Sequence, residues 1–360
     1  MATLTINTGK ILENIEKINK YLAENNIQWT LVTKMLCGHK GALEKIIPEK
    51  CIKKIHSVGD SRISNLRTIK EIKPDIVTMY IKPPALNQVK NVIKYADISL
   101  NSSLRTIEAL DREAGEQGKK HRIIIMIEMG ELREGIVRDE ILSFYEKVFK
   151  LKNVETIGLG TNLGCMYGVE PTYDKLIQLS LYKHLIEVQF NKKLELVSGG
   201  SSITLPLISK GKIPKGVNHF RIGEAALLGV SPLNNKKFRN LSTSTIEFSA
   251  EIVELDKKEI QPDGIIGEGN VGHTAELEFD KGVKETYRTI VDFGQLDVDV
   301  NNLRPKDNKL QFVGTTSDMT VYDLGNDKGK YKVGGQIHFM PNYTSIARLM
   351  NSRYMSKKIF

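Results

Sequence analysis

Cysteine is scarce in this chain: three among 360 residues, Cys37, Cys51 and Cys165. A sparse, odd-numbered set builds no disulfide framework and fits a reducing compartment. There is no CxxC pair and no closely spaced histidine pair, so no structural metal site is expected. No apolar run approaches the ~18 residues that a membrane span needs. The opening "MATLTINTGK" lacks an apolar signal-peptide core, and a cytoplasmic location is expected. One Trp with ordinary Gly and Pro counts excludes fibrous and low-complexity classes. Acidic residues are the minority, 43 against 52 basic, for a net charge of +9. That excess does not gather: it is spread through "IKKI", "GKKH", "NKKL" and "NNKKF", with no Arg-rich helix and no aromatic-basic ladder. A solvated lysine surface is expected, and no nucleic-acid partner.

What the chain does have is alternation. Between residues 29 and 225, eight short β-rich runs alternate with longer amphipathic stretches. The runs are "WTLVTK" (29–34), "KIHSVG" (54–59), "DIVTMYI" (75–81), "ADISLN" (96–101), "RIIIMIEMG" (122–130), "VETIGLGTN" (154–162), "LELVSGG" (194–200) and "HFRIGE" (219–224). Strands alternating with helices predict a parallel sheet with crossover helices. Eight within about 200 residues is the count of a (β/α)8 TIM barrel. An open doubly wound sheet wants a glycine-rich turn after its first strand, and here that strand ends in Lys34. Beyond "GVSPLNNKKFRN" (229–240) the runs become strand-like and are punctuated by "PDG", "RPKDN" and "GNDKG". Two domains are expected: a barrel over 1–235, led in by an N-terminal helix, and an all-β C-terminal domain over 236–360.

In a barrel, the groups at the C-terminal strand ends face the active-site mouth. The first run ends in Lys34 and the second leads to Asp60 and Arg62. The fifth leads to Glu128, Glu131 and Arg133. The sixth ends near Thr161, Asn162 and Cys165. The seventh ends in "SGGSS", and the eighth carries Arg221, Gly223 and Glu224. Singly, a strand-end lysine usually snorkels and "SGGSS" is usually a turn. In this order, though, a lysine on the first strand, a hydroxyl and backbone N–H cradle after the seventh, and an arginine between them suit a phosphorylated cofactor joined to lysine as an imine. Pyridoxal 5′-phosphate (PLP) meets those requirements.

At these residues the chain resembles the alanine-racemase-like family of fold-type III PLP enzymes, and within it the ornithine racemase type. The resemblance rests on "LVTKMLCG", "SVGDSRISNL", "MIEMGELREGI", "GLGTNLGCMYGVEPT", "SGGSSITLP" and "FRIGEAALLG", in that order. "DFGQLDVDVNNLRP" and "FVGTTSDMTVYDL" match more weakly. It implies that Lys34 holds PLP and acts as one base, and that Arg221 faces the pyridine nitrogen and disfavours its protonation. It also implies that Ser202, with Ser198, Ser201 and the backbone of Gly223 and Glu224, holds the phosphate. Arg133 would orient the substrate carboxylate and the cofactor, with Asn162 beside the cofactor.

Racemisation removes the α-proton on one face and returns it on the other, so two bases are wanted. The family's second base is a tyrosine from the partner subunit, early in the β-domain. The comparable "GEGNVGHTAE" has none, which leaves the second base open, with His273 and Cys165 among the candidates. The phosphate-binding tyrosine usual after the lysine is also missing from "KMLCGHK", and Tyr354 is a further candidate for the site. The expectation is therefore a homodimeric, PLP-dependent amino-acid racemase acting on a basic amino acid such as ornithine or lysine. Glu128, Glu131, Glu134, Asp297 and Asp299 are candidate countercharges. A racemase for alanine, serine or a broad substrate set, a non-catalytic PLP-binding regulatory protein, and a decarboxylase of the same fold type are the other readings.

Overall fold

The computed structural model describes residues 1–265, 267, 272–275 and 284–360. It forms two compact units: Thr8–Thr245, and Met1–Asn7 together with Ile246–Phe360.

The first unit is a closed, all-parallel barrel of eight strands: β1 (Gln28–Val32), β2 (Ser57–Asp60), β3 (Thr78–Tyr80), β4 (Ile98–Asn101), β5 (His121–Met126), β6 (Val154–Gly160), β7 (Leu196–Ser201) and β8 (His219–Ile222). It closes where β1 pairs with β8, with Thr30 opposite Arg221. Each expected run supplied one strand. The crossover helices carry the apolar stripes that hold them on the barrel. In Leu104–Glu116 the buried Ile107, Leu110 and Ala114 recur at helical spacing, and the Ser103 side chain caps the first turn. The helix Thr8–Ala23 buries Ile11, Ile15, Ile18 and Leu22. Its Asn19 accepts a 2.8 Å hydrogen bond from the Trp29 indole N–H, which fixes it to β1.

Inside the barrel, Met79, Ile98, Leu100, Ile124, Met126, Ile157 and Leu196 form one apolar cluster. Burying each such side chain is worth about 1.5–3 kcal/mol. Gly200 in β7 is required by packing. A Cβ there would lie 2.2 Å from the Phe220 ring, so the "SGGSS" run can pass only without a side chain at that point.

The second unit is β-rich, with one helix, Tyr343–Asn351, that the strand-like pattern did not suggest. Its core is a trio of rings, Phe248, Phe293 and Phe339, with centroids 5.2–5.7 Å apart. The division between units falls at 245/246, ten residues later than the expected 235/236. Residues 242–245 are tied to the barrel unit: Ser242 exchanges hydrogen bonds with Asn14, and the Thr245 hydroxyl donates to the Leu227 carbonyl. The helix expected over residues 5–26 begins at Thr8, and the residues before it form a strand, Thr3–Ile6. That strand lies between Ile246–Ser249 (antiparallel) and Ser356–Ile359 (parallel).

Candidate active site

Lys34 opens a single helical turn, Lys34–Leu36, directly after β1. Its side chain is exposed at the strand's C-terminal end rather than buried in the core. The turn is anchored from beneath. The buried Thr33 donates its hydroxyl to Asp60 at 3.0 Å, and its N–H goes to the Gly59 carbonyl. Asp60 also accepts from the Arg62 N–H and the Asn65 side chain, both at 3.0 Å. Burial pushes the Asp60 carboxyl up, against the pull of those donors. All this makes Asp60 the post on which the lysine turn stands, with Asn65 beneath.

Next to β1, Arg221 on β8 is buried, and its guanidinium reaches across to β6 and β7. One Nη donates to the carbonyl and hydroxyl of Ser198, and the other to the Thr161 carbonyl at 2.6 Å. Burial draws its pKa down to about 10; Glu134 pushes it up and Arg133 down. It stays charged at neutral pH. Of its five N–H groups, the Nε–H and one Nη–H have no partner among the described residues. The Thr161 hydroxyl, also buried, has none either.

The "SGGSS" segment divides its duties. Ser198 lies on the barrel side with Arg221. Ser201 caps the turn Ser202–Thr204 in a reciprocal box with Thr204. Ser202 is buried, and its hydroxyl accepts from the Ala225 N–H at 3.1 Å. That bond brings the turn after β7 against Gly223 and Glu224, which open the short helix after β8. Glu224 is half-buried; burial raises its pKa and the Lys34 charge lowers it. The two ends of the expected constellation thus lie within electrostatic reach of each other.

The loops after β5 and β6 form the opposite wall. Residues 127–136 close on themselves through an Ile127–Ile136 bridge. Gly135 holds a φ of +140°, and a Cβ there would strike the Glu128 backbone at 2.3 Å. Glu131 is 2 % exposed and accepts three backbone N–H bonds, from Cys165, Tyr167 and Val169 at 2.8–2.9 Å. Against the cost of burial, these donors draw its pKa down. Glu131 therefore clamps the second loop to the first. The clamp sets Cys165 against the Arg133 guanidinium and Asn162 against Glu134, which also pairs with Arg133.

The candidate countercharges separate on this geometry. Glu131 is committed to the loop clamp. Glu128 accepts from the Gly130 and Arg133 N–H groups. Asp297 and Asp299 lie in the second unit and accept from Gly294, Ser352, Asn301 and Asn302. Glu134 is the one that joins Arg133 and Asn162. His273 lies on a two-residue exposed strand of the second unit, paired with Thr315 and Gly314 through His273–Thr274. Tyr354 is exposed in the same unit. Half of the "GEGNVGHTAE" stretch around His273 (residues 268–271 and 276) lies outside the described residues. The sequence reading passed over His219, two residues before Arg221 on the same face of β8. The period of two along a strand is the signal that finds it.

A closed parallel barrel that gathers lysine, arginine and a serine cradle at one rim defines the class: a barrel enzyme whose mouth grips an anionic ligand. Residues 6–232 match the family described as "Alanine racemase, N-terminal domain". Over 357 residues the chain is 34% identical to the ornithine racemase of Acetoanaerobium sticklandii, covering 99% of each. It is 30% identical to the lysine racemase of Thermotoga maritima, covering 98% of this chain and 97% of that one. Among solved structures, alanine racemase of Clostridium difficile 630 superposes with a TM-score of 0.74 at 16% identity, over 100% of this chain and 95% of that one. The alanine racemase of Bartonella henselae, solved with covalently bound pyridoxal phosphate, gives 0.73 at 14% identity, over 100% and 99%. The chain belongs to the alanine racemase family.

Proposed function

We propose that this protein is a PLP-dependent racemase of basic amino acids, ornithine or lysine, working as a homodimer in the cytoplasm. The observation that carries the reading is the set of donors left over at the mouth. Arg221 keeps two N–H groups after satisfying its own surroundings. Ser202 keeps its hydroxyl proton after accepting from Ala225. The Thr161 hydroxyl is buried and unmatched. These residues fit PLP: a basic ring nitrogen accepts from Arg221, and a phosphate accepts from Ser202 and the first N–H groups of the turn Ser202–Thr204. Lys34, exposed at the rim, supplies the amine that such a cofactor needs. The relatives at 34% and 30% identity, each matched over nearly its whole length, support a basic substrate. The three free cysteines accord with a reducing compartment.

PLP, once joined to an amino acid's nitrogen, acidifies the α C–H bond. The chain's residues then divide the work. Lys34 takes or returns the proton at Nζ on one face. Arg221 gives a hydrogen bond to the ring nitrogen and carries a fixed positive charge, so that nitrogen stays unprotonated and side reactions such as transamination are suppressed. Arg133, braced by Glu134, orients the substrate carboxylate. For the other face, Cys165 beside Arg133 and His273 of the partner subunit are the two groups to separate. Whichever of His273→Gln and Cys165→Ser removes the second base should abolish racemisation both ways while sparing α-proton exchange of the one enantiomer that Lys34 serves.

Incubation with single L-amino acids in D₂O, with α-proton loss and D-isomer formation followed by NMR and chiral chromatography, tests the reading. Ornithine or lysine should exchange and racemise. Exchange with alanine or serine alone overturns the substrate, and a protein that takes up no PLP overturns the cofactor. Light scattering should give twice the 40.5 kDa chain mass.

A further inference from the structure

Beneath Arg221 runs a line of buried polar groups that the proposed chemistry does not use. Ser198 meets His219 Nδ1 at 2.8 Å, and His219 Nε2 meets the Thr30 hydroxyl at 3.0 Å. Thr30 meets Ser57 at 2.7 Å, and Ser57 meets His56 Nδ1 at 3.1 Å. Thr30, Ser57, Ser198 and His219 are each 0–1 % exposed. Polar groups buried this deeply in a barrel are costly unless every proton has an acceptor.

The direction of the line follows from its head. A guanidinium only donates, so the Ser198 oxygen accepts from Arg221 and its single proton goes to His219 Nδ1. Burial holds His219 neutral, helped by the neighbouring Arg221 charge. Its one proton therefore sits on Nε2 and goes to Thr30. Thr30 then donates to Ser57, and Ser57 to His56. The reverse order leaves the Ser198 proton with no acceptor among the described residues. Protonating His219 would break its acceptor bond from Ser198 and place a second cation two residues from Arg221 on the same strand. The groups that face His219 are Ser198, Thr30, Arg221 and the edge-on His56 ring, 5.1 Å away.

We propose that His219, acting through Ser198, is a positioning residue for Arg221: it is the neutral Nε2–H tautomer at the centre of a one-way hydrogen-bond relay that fixes the guanidinium's orientation toward the ring nitrogen. The proposal rests on the PLP reading for its functional meaning. The relay itself does not.

Two measurements separate those layers. First, in protein labelled with ¹⁵N-histidine, His219 should show the Nε2–H tautomer at pH 7 and keep it to pH 5, with or without PLP. An Nδ1–H or doubly protonated ring overturns the relay. Second, Ser198→Ala and the isosteric Thr30→Val are each loaded with PLP. Ser198→Ala should lower kcat by about tenfold to a hundredfold with KM within about twofold, and should shift the cofactor's visible absorbance and its pH titration. Thr30→Val, two links further along the relay, should move the same signals in the same direction by less. Ser198→Thr, which keeps the hydroxyl, should restore them. Variants that lose only melting temperature, with spectrum, titration and kcat unchanged, overturn the positioning role. If the native protein itself shows no PLP absorbance, the cofactor reading fails, and the tautomer still decides the relay.

Discussion

The barrel interior is divided. Along β3 to β6 it is filled by Met79, Ile98, Leu100, Ile124, Met126 and Ile157. Along β8, β1 and the start of β2 it is lined by Arg221, His219, Thr30 and Ser57. The two halves touch where the Thr30 hydroxyl lies 3.7 Å from the Met79 sulfur. The apolar half is held by contacts that add up without direction, so it stabilises the barrel without dictating any one orientation. The polar half contributes less net free energy per group, but each hydroxyl and ring nitrogen has one role. The barrel thus separates stability from orientation, and it is the polar side that holds Arg221.

Substitutions test that division. The largest effect belongs to the rim: Lys34→Ala should abolish racemisation and the visible absorbance of the lysine-linked cofactor, while melting stays within about 0.5 kcal/mol of the parent, as for an exposed site. In the apolar half, Leu100→Ala should cost about 2–5 kcal/mol in urea unfolding. The surviving folded enzyme should keep its spectrum and KM. A shifted spectrum in that variant would break the division.

Acid probes the buried rings. His56 and His121 are each lowered to about 4 from an ordinary 6.5, chiefly by burial. Below pH 6.5 the unfolded chain takes up protons that the folded chain refuses. Their contribution is therefore complete above pH 6.5, falls as the pH drops, and is gone below about 4. Each is worth about 3 kcal/mol across that window. The raised Asp60 opposes the loss only at the acid end. Urea unfolding at pH 7 and pH 5 should show the drop, and His121→Asn should remove about a third of it, since His219 is held neutral by burial as well. The smallest effect falls on the loop clamp. Glu131→Gln surrenders part of a carboxylate that serves three N–H groups. It should cost about 1–3 kcal/mol and raise KM more than it lowers kcat, because Asn162 and Cys165 lose their fixed seats.

Much of this was legible in the sequence. All eight barrel strands were, because buried parallel strands flanked by amphipathic helices leave a strong periodic signal. The rim residues were too, because strand ends place them. Three features were not. Glu131 read as a possible countercharge, since nothing in "GELREG" reveals that a distant loop will turn three N–H groups toward it. Ser198 and Ser201 looked interchangeable with Ser202, yet alternation along β7 and the cap at its end give each a different partner. Thr5 and Ile6 read as the start of a helix that in fact begins at Thr8, because the identity of the strand Thr3–Ile6 depends on partners more than 200 residues away.

That strand also bears on the order of synthesis. It is made well before its two neighbours, Ile246–Ser249 and Ser356–Ile359, which lie more than 200 residues further along the chain. Until then both its edges stand open, which is the state in which strands recruit wrong partners. Thr5 and Thr3 bring only hydroxyls to that edge, and Lys357 and Lys358 arrive with the strand that seals it. The barrel residues Thr8–Thr245 are all made while the other unit still waits for Ser356–Ile359, so truncation just before that strand should leave a folded barrel and an unsealed sheet in the same chain.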